Sequence, residues 1–112
     1  MSVEGVWKVE VIGPYGWEKM ATASVRDGHY FGASVDHYST GSYEVDGDAL
    51  TVNLQVVQHG KVRAVYGSKK RKMSIQLKLK IKKENKMVGE SYLTTGKKHT
   101  LKTRLIRLGD FV

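Results

Sequence analysis

The segment 73–82 alternates apolar and polar side chains without interruption, and this pattern constrains the fold more than any other feature of the chain. Met73, Ile75, Leu77, Leu79 and Ile81 are apolar, and the residues between them are serine, glutamine and lysine. A β-strand sends successive side chains to opposite faces, whereas helical spacing would scatter the lysines around the helix axis. The pattern therefore predicts an antiparallel strand with one face buried and the other in water.

Turn residues separate further alternating segments along the chain. Segments 50–57 and 7–12 alternate in the same way, and pairs such as Asp27-Gly28 supply the positive φ angles that tight hairpin turns require. The connections are too short for crossover helices, so consecutive strands should pair as a meander. We predict strands near 5–12, 18–26, 29–35, 38–45, 49–58, 61–67, 73–83, 87–94 and 99–108.

A long meander removes its exposed edges by closing on itself. We therefore predict an all-β protein with one domain over residues 1–112: an antiparallel up-and-down β-barrel of eight or nine strands. A two-sheet β-sandwich is the alternative. A chain of 112 residues can bury a sufficient core without metal or disulfide support.

Composition narrows the classes of function. The chain has no cysteine, which excludes disulfides, zinc fingers and thiol catalysis. No apolar run approaches the ~20 residues of a membrane helix, and residues 1–4 lack the parts of a signal peptide, so we expect a cytoplasmic protein with no membrane partner. His29, His37, His59 and His99 lack the i, i+2 or i, i+4 spacing of metal ligands. We find no catalytic constellation, and expect neither an enzyme nor a cofactor or metal site.

Charge is distributed unevenly between the two halves of the chain. Residues 1–60 carry a balance of −5 and residues 61–112 a balance of +13, which gives the net charge of +8. This asymmetry favours an anionic partner or a self-complementary pair of copies. The basic run 69–72 and the lysines that follow it suggest nucleic acid, but seven of the ten aromatic side chains that could stack on bases precede residue 61. Nucleic-acid binding is therefore an alternative function rather than the leading one.

Small side chains are concentrated between Met20 and Tyr43. Small inward residues beside large aromatic ones can leave a cavity for an apolar ligand, and the candidate lining residues are Ala21, Ala23, Tyr30 and Tyr43. Alternatively, the small residues allow the strong bends of a tight barrel and leave no void. The same segment also offers a flat face for dimerisation.

The start of the first predicted strand, Gly5-Val6-Trp7, resembles that of the lipocalin-like (calycin) barrels. In those families the tryptophan plugs one end of the barrel, and an arginine near the last strand packs across its ring. The resemblance implies that Trp7 is the barrel plug and that Arg104 or Arg107 covers it through a cation–π contact.

A longer pattern lies in the middle of the chain: Asp27-Gly28-His29-Tyr30-Phe31-Gly32-Ala33, then Tyr38, Gly41 and Tyr43, then Val45-Asp46-Gly47-Asp48. This pattern resembles the GrlR-like family, small lipocalin-like barrels named for a negative regulator of bacterial type III secretion. The resemblance implies a dimeric barrel that holds a partner protein, a transcriptional activator in the named member, instead of catalysing a reaction. In that member an acidic four-residue loop carries the partner contact, and the matching positions 45–48 here keep two acidic residues.

These observations predict a cytoplasmic, non-catalytic regulatory or protein-interaction module that forms a homodimer. Its candidate partner-binding residues are Glu44, Asp46 and Asp48, although a hairpin turn favours aspartate at two of these positions for backbone reasons. A carrier of a small apolar ligand and a nucleic-acid-binding protein are the two alternatives.

Overall fold

Eight antiparallel strands form a closed barrel in the computed structural model, which describes residues 2–62, 69–94 and 100–110. Each strand pairs with the next, and β1 pairs with β8. This confirms the predicted all-β, up-and-down barrel, with eight strands in the described part of the chain, and the β-sandwich alternative is wrong. The strands are β1 (Gly5–Gly13), β2 (Gly16–Arg26), β3 (His29–Ala33), β4 (His37–Asp46), β5 (Ala49–Gln58), β6 (Lys72–Lys83), β7 (Lys86–Leu93) and β8 (Thr100–Gly109).

The additional strand predicted near 61–67 has no place between its neighbours. β5 pairs directly with β6, from Ala49↔Lys80 to Val57↔Lys72. Residues 61 and 62 lie outside any strand, and 63–67 lie outside the described residues. The alternation at 73–82 is real, because Ile75, Leu77 and Leu79 are buried while the lysines between and after them are exposed.

The core fills the inside of the barrel with side chains from all eight strands. Trp7, Val25, Leu50, Met87 and Leu105 are at most 1% exposed. Burying a side chain of this size stabilises the fold by about 1.5–3 kcal/mol relative to leaving it in water, so this interior supplies most of the favourable free energy of folding.

Glycines allow two strands to approach more closely than side chains would permit. A Cβ built on Gly41 would overlap the backbone carbonyl oxygen of Asn53, and one built on Gly89 would overlap that of Lys78. At both positions the backbone of the neighbouring strand therefore occupies the space that a side chain would need. For Gly41 this supports the interpretation that small residues between 20 and 43 serve the curvature of the wall.

The two ends of the barrel are built differently. At one end, which we call the plug end, lie the start of β1, the end of β8 and the turns at 27–28, 47–48 and 84–85. The first two turns are tight hairpins. Asp27 and Gly28 both have positive φ, of 51° and 80°, as a type I′ turn requires, and Gly47 has a φ of 62°. The turns at 14–15 and 34–36 and the longer connections after β5 and β7 lie at the opposite end.

Candidate functional site

The plug end is closed by Trp7 and Arg107. Trp7 is 1% exposed, and its ring N–H donates a hydrogen bond to the carbonyl of Val3, 2.9 Å away. The guanidinium carbon of Arg107 lies 4.5 Å from the centre of the Trp7 ring. The two residues are cross-strand partners between β1 and β8, so the sheet register itself brings them together. Trp7 and Arg107 therefore occupy the positions of plug and cover that the lipocalin resemblance implies.

Arg107 also ties the chain ends to this plug. Its guanidinium donates hydrogen bonds to the carbonyls of Ser2 at 2.8 Å, Glu4 at 2.6 Å and Glu84 at 3.0 Å, and contacts the carboxylate of Asp110 at 2.9 Å. One charged group thus joins the segment before β1, the β6–β7 turn and the end of β8. These contacts hold the guanidinium over the Trp7 ring, which is 1% exposed.

Arg104, the other candidate for the plug, points to the outside of the barrel. Its guanidinium carbon lies 4.2 Å from the centre of the Trp17 ring, and its Nε donates to Glu10 at 2.8 Å. Glu10 is 8% exposed and also lies 3.7 Å from Lys8. This cluster around Glu10 was not predicted from the sequence. The feature that could have indicated it is a carboxylate within the apolar stretch of the first strand, because burying an unpaired charge there would be costly.

The interior contains a cavity of about 60 Å³ on the side away from the plug. Two of the four predicted lining residues, Ala21 and Tyr30, line it, while Ala23 and Tyr43 do not. The wall is mostly apolar, with Ser39 and Thr103 inside and Asp36, His37 and Gln58 toward the end of the barrel. An engineered cavity that admits benzene has a volume of about 150 Å³, so this one holds water or a very small solute.

The β4–β5 hairpin at the plug end carries the three candidate partner-binding acids. Glu44, Asp46 and Asp48 are all exposed, and Val45 between them is 47% exposed. The carboxylate of Asp48 lies 3.6 Å from the ammonium of Lys80 on β6, in an ion pair open to solvent. Glu44 and Asp46 have the outward parity of β4, and Asp48 reaches the exposed Lys80, so the three acids share one exposed surface. Val45 has the opposite, inward parity and pairs with the buried Leu50 at the rim of the barrel.

β3 ends its pairing before the tip of this hairpin. Its pairing with β4 runs from Ala33↔Tyr38 to His29↔Ser42, and the N–H of Tyr43 then donates to the carbonyl of Gly28 at 3.0 Å. Beyond that point, β4 pairs with β5 alone, through Asp46↔Ala49. The acidic tip accordingly projects past the neighbouring strand into solvent.

The histidines do not converge on a common centre. Nδ1 of His37 lies 2.7 Å from the Ser34 hydroxyl, the ring of His59 stacks on Tyr38 with centres 6.3 Å apart, and His29 is exposed on β3. His99 lies outside the described residues. Within residues 2–62, 69–94 and 100–110, no three histidine or carboxylate side chains are arranged to bind a metal ion.

The lysines of β6 occupy the outer face of the barrel, as the alternation predicts. Lys72, Lys78, Lys80 and Lys82 are exposed, and so are Lys69 and Lys70 before the strand. Arg71 turns back toward the chain and donates to the carbonyls of Gln58 at 3.0 Å and Gly60 at 3.1 Å. The basic run therefore leads directly into the row of lysines along β6.

Comparison with protein-family models finds no match to this chain, and comparison with curated protein sequences finds none either. No helix in the described ranges has the length and hydropathy needed to span a membrane.

Proposed function

We propose that the chain is a non-catalytic, cytoplasmic interaction module of the GrlR-like type, a homodimer that holds a regulatory protein through the acidic tip of its β4–β5 hairpin. The tip consists of residues 44–48. The observation that carries the proposal is the exposure of Glu44, Asp46 and Asp48 on one hairpin, with Glu44 and Asp46 on its outer face. An exposed acidic surface fits a basic segment of a partner.

The contacts that hold the β4–β5 hairpin in place also favour this function. Arg107 and Trp7 fix the plug end of the barrel, and the N–H of Ile81 donates to the carbonyl of Asp48 at 2.7 Å, which anchors the β4–β5 turn to β6. A rigid hairpin loses little conformational entropy when it binds, so more of the contact energy remains as affinity.

The size of the interior argues against the carrier alternative. Pockets for drug-sized ligands measure about 300–1,000 Å³, whereas the cavity among the described residues is about 60 Å³. A ligand of ordinary size would have to displace core side chains such as Leu54 or Ile75. We therefore place the function on the outside of the barrel.

Exchange of both turn aspartates for asparagine tests the proposal. The double variant Asp46→Asn/Asp48→Asn keeps the turn chemistry but removes two charges, and Asp48 has only a solvent-exposed ion pair to lose. We expect its melting temperature to stay within about 4 °C of the parent, because exposed pairs contribute at most ~1 kcal/mol. We expect proteins retained on the immobilised parent from an extract of the source organism to be lost on this variant.

Glu18→Gln is the matched control, because Glu18 is an exposed acid at the opposite end of the barrel. It should retain the same proteins as the parent. If the double variant also retains them, the hairpin is not the contact surface. A fall in melting temperature with unchanged retention would instead assign the aspartates to the turn alone.

A further inference from the structure

Uncharged polar side chains line an open hollow on the outer face of β4–β7, away from the acidic hairpin tip. Two rows run across these four strands, and the sheet register places their members side by side. The first row is Ser42, Asn53, Gln76 and Tyr92, and the second is Thr40, Gln55, Ser74 and Thr94. Neighbouring strands lie about 4.8 Å apart, so each row spans about 14 Å.

Hydrogen bonds hold the amide groups of the first row in place. Nε2 of Gln76 donates to Oδ1 of Asn53 at 2.8 Å, and the Tyr92 hydroxyl donates to Oε1 of Gln76. In the second row, Nε2 of Gln55 donates to the Ser74 hydroxyl at 2.7 Å. An amide carries two donors and two acceptor lone pairs, so each of these amides keeps hydrogen-bonding capacity for a ligand while its orientation is fixed.

Lysines flank the hollow on the same face of β6. Lys72, Ser74, Gln76 and Lys78 are successive outward residues of this strand, about 6.6 Å apart, and Lys80 and Lys82 continue the row. Among the described residues, Lys80 is the lysine of this row that forms an ion pair, and its partner is Asp48. A polyanion lying along β6 would therefore meet positive charge on both sides of the polar rows.

Tyr92 supplies an aromatic ring at this place. It belongs to the basic half of the chain, pairs with Gln76 across β6 and β7, and lines the hollow. Most aromatic residues lie in the other half of the sequence, which disfavours nucleic-acid binding if the halves are considered separately. In the folded barrel, however, the Tyr92 ring lies among the amides and lysines. His29 from the first half of the chain lines the same hollow.

We propose that this face binds single-stranded nucleic acid, independently of the protein contact at the hairpin. Lys72 and Lys78 contact phosphates, Asn53 and Gln76 bind the edges of bases through their amides, and the Tyr92 ring stacks on a base. A neutral sugar would also suit amides and a tyrosine. The flanking lysines and the net charge of +8 favour a polyanion.

Fluorescence anisotropy with labelled 12-nucleotide DNA and RNA of mixed sequence, titrated with the purified protein at 50 and 200 mM NaCl, tests the proposal. Two phosphate contacts to a single strand, from Lys72 and Lys78, predict an affinity about sevenfold lower at the higher salt concentration. Lys78→Gln should lower the slope of log affinity against log salt by about 0.7. Tyr92→Ala should weaken binding by about fivefold or more, while Tyr92→Phe, which keeps the ring, should retain most of it.

Lys19→Gln is the matched charge control, because Lys19 is exposed on β2, outside the hollow. It should bind like the parent. Asp46→Asn/Asp48→Asn should bind at least as tightly as the parent, because it releases Lys80 from Asp48, and this separates the proposal from the hairpin contact. Absence of binding at 50 mM NaCl would overturn the proposal. So would equal effects of Lys78→Gln and Lys19→Gln, an unchanged affinity in Tyr92→Ala, or salt-independent binding of a neutral oligosaccharide in place of the oligonucleotides.

Discussion

Removal of the Arg107 guanidinium should destabilise the whole barrel, although the residue lies at one end of it. Arg107→Met keeps an unbranched side chain over Trp7 and deletes the charged group. The guanidinium donates to three backbone carbonyls, of Ser2, Glu4 and Glu84, and lies 4.5 Å from the centre of the Trp7 ring. Its side chain is 11% exposed, so these contacts are poorly replaced by water.

The magnitude follows from these contacts. Each hydrogen bond contributes about 1 kcal/mol net, and the cation–π contact contributes about 1 kcal/mol. The free energy of unfolding should therefore fall by about 3–4 kcal/mol, a large part of the 5–15 kcal/mol typical of a domain. Urea unfolding followed by tryptophan fluorescence measures this change, and Arg26→Met is the control because the Arg26 side chain is 63% exposed.

Arg26→Met should change the free energy of unfolding by less than about 0.5 kcal/mol. A loss below about 1 kcal/mol for Arg107→Met would refute the reasoning, since it would mean that the plug end is already hydrated or that the chain ends are held by other contacts. A change in the slope against urea would point to an altered unfolded state instead.

Two further predictions concern the wall of the barrel. Gly89→Ala should destabilise the protein by about 2 kcal/mol or more in the same urea assay, because its Cβ would overlap the carbonyl of Lys78. Gly109→Ala is the control and should be nearly neutral, because there is open space at that position. Equal effects of the two variants would contradict the close approach of β6 and β7 at Gly89. Ser91 and Thr103 share a buried hydroxyl–hydroxyl hydrogen bond of 2.7 Å. The single variants Ser91→Ala and Thr103→Val should each cost about 1–2 kcal/mol and the double variant less than their sum, so additive costs in this double-mutant cycle would show that the hydroxyls are not coupled.

The fold was predictable because several of its strands are strongly amphipathic and the turns at 27–28 and 47–48 carry glycine. The strand at 73–82 needs no tertiary information, since its lysines and apolar residues separate completely onto two faces. The boundaries were less accurate. β3 ends at Ala33 instead of residue 35, because residues 34–36 form a turn in which the N–H of Ser34 donates to the carbonyl of His37, leaving Val35 89% exposed.

Strand parity can decide which of the two arginines, Arg104 or Arg107, covers Trp7. The two arginines are an odd number of residues apart and therefore face opposite sides of β8. Leu105 is buried, so Arg107 points inward with it and Arg104 points outward. Parity would have selected Arg107 from the sequence once a buried neighbour was identified.

The polar hollow could not be predicted in this way. Its members come from four strands that are distant in sequence, and they become neighbours only through the register of Ser42↔Asn53, Asn53↔Gln76 and Gln76↔Tyr92. The cavity depends likewise on how completely side chains fill the interior, which composition does not reveal. The role of the acidic hairpin stays a prediction.

The seam between β1 and β8 tests most directly the central claim that the described strands close into one barrel, because an open sheet would leave these two strands unpaired. Isotope-edited nuclear Overhauser spectroscopy should show cross-strand contacts for Lys8↔Ile106, Val9↔Leu105 and Glu10↔Arg104, residues that lie more than 90 positions apart in sequence. The amides of both strands should be protected from hydrogen exchange. Absence of these contacts, with rapid exchange along β1, would show an open sheet and contradict the account.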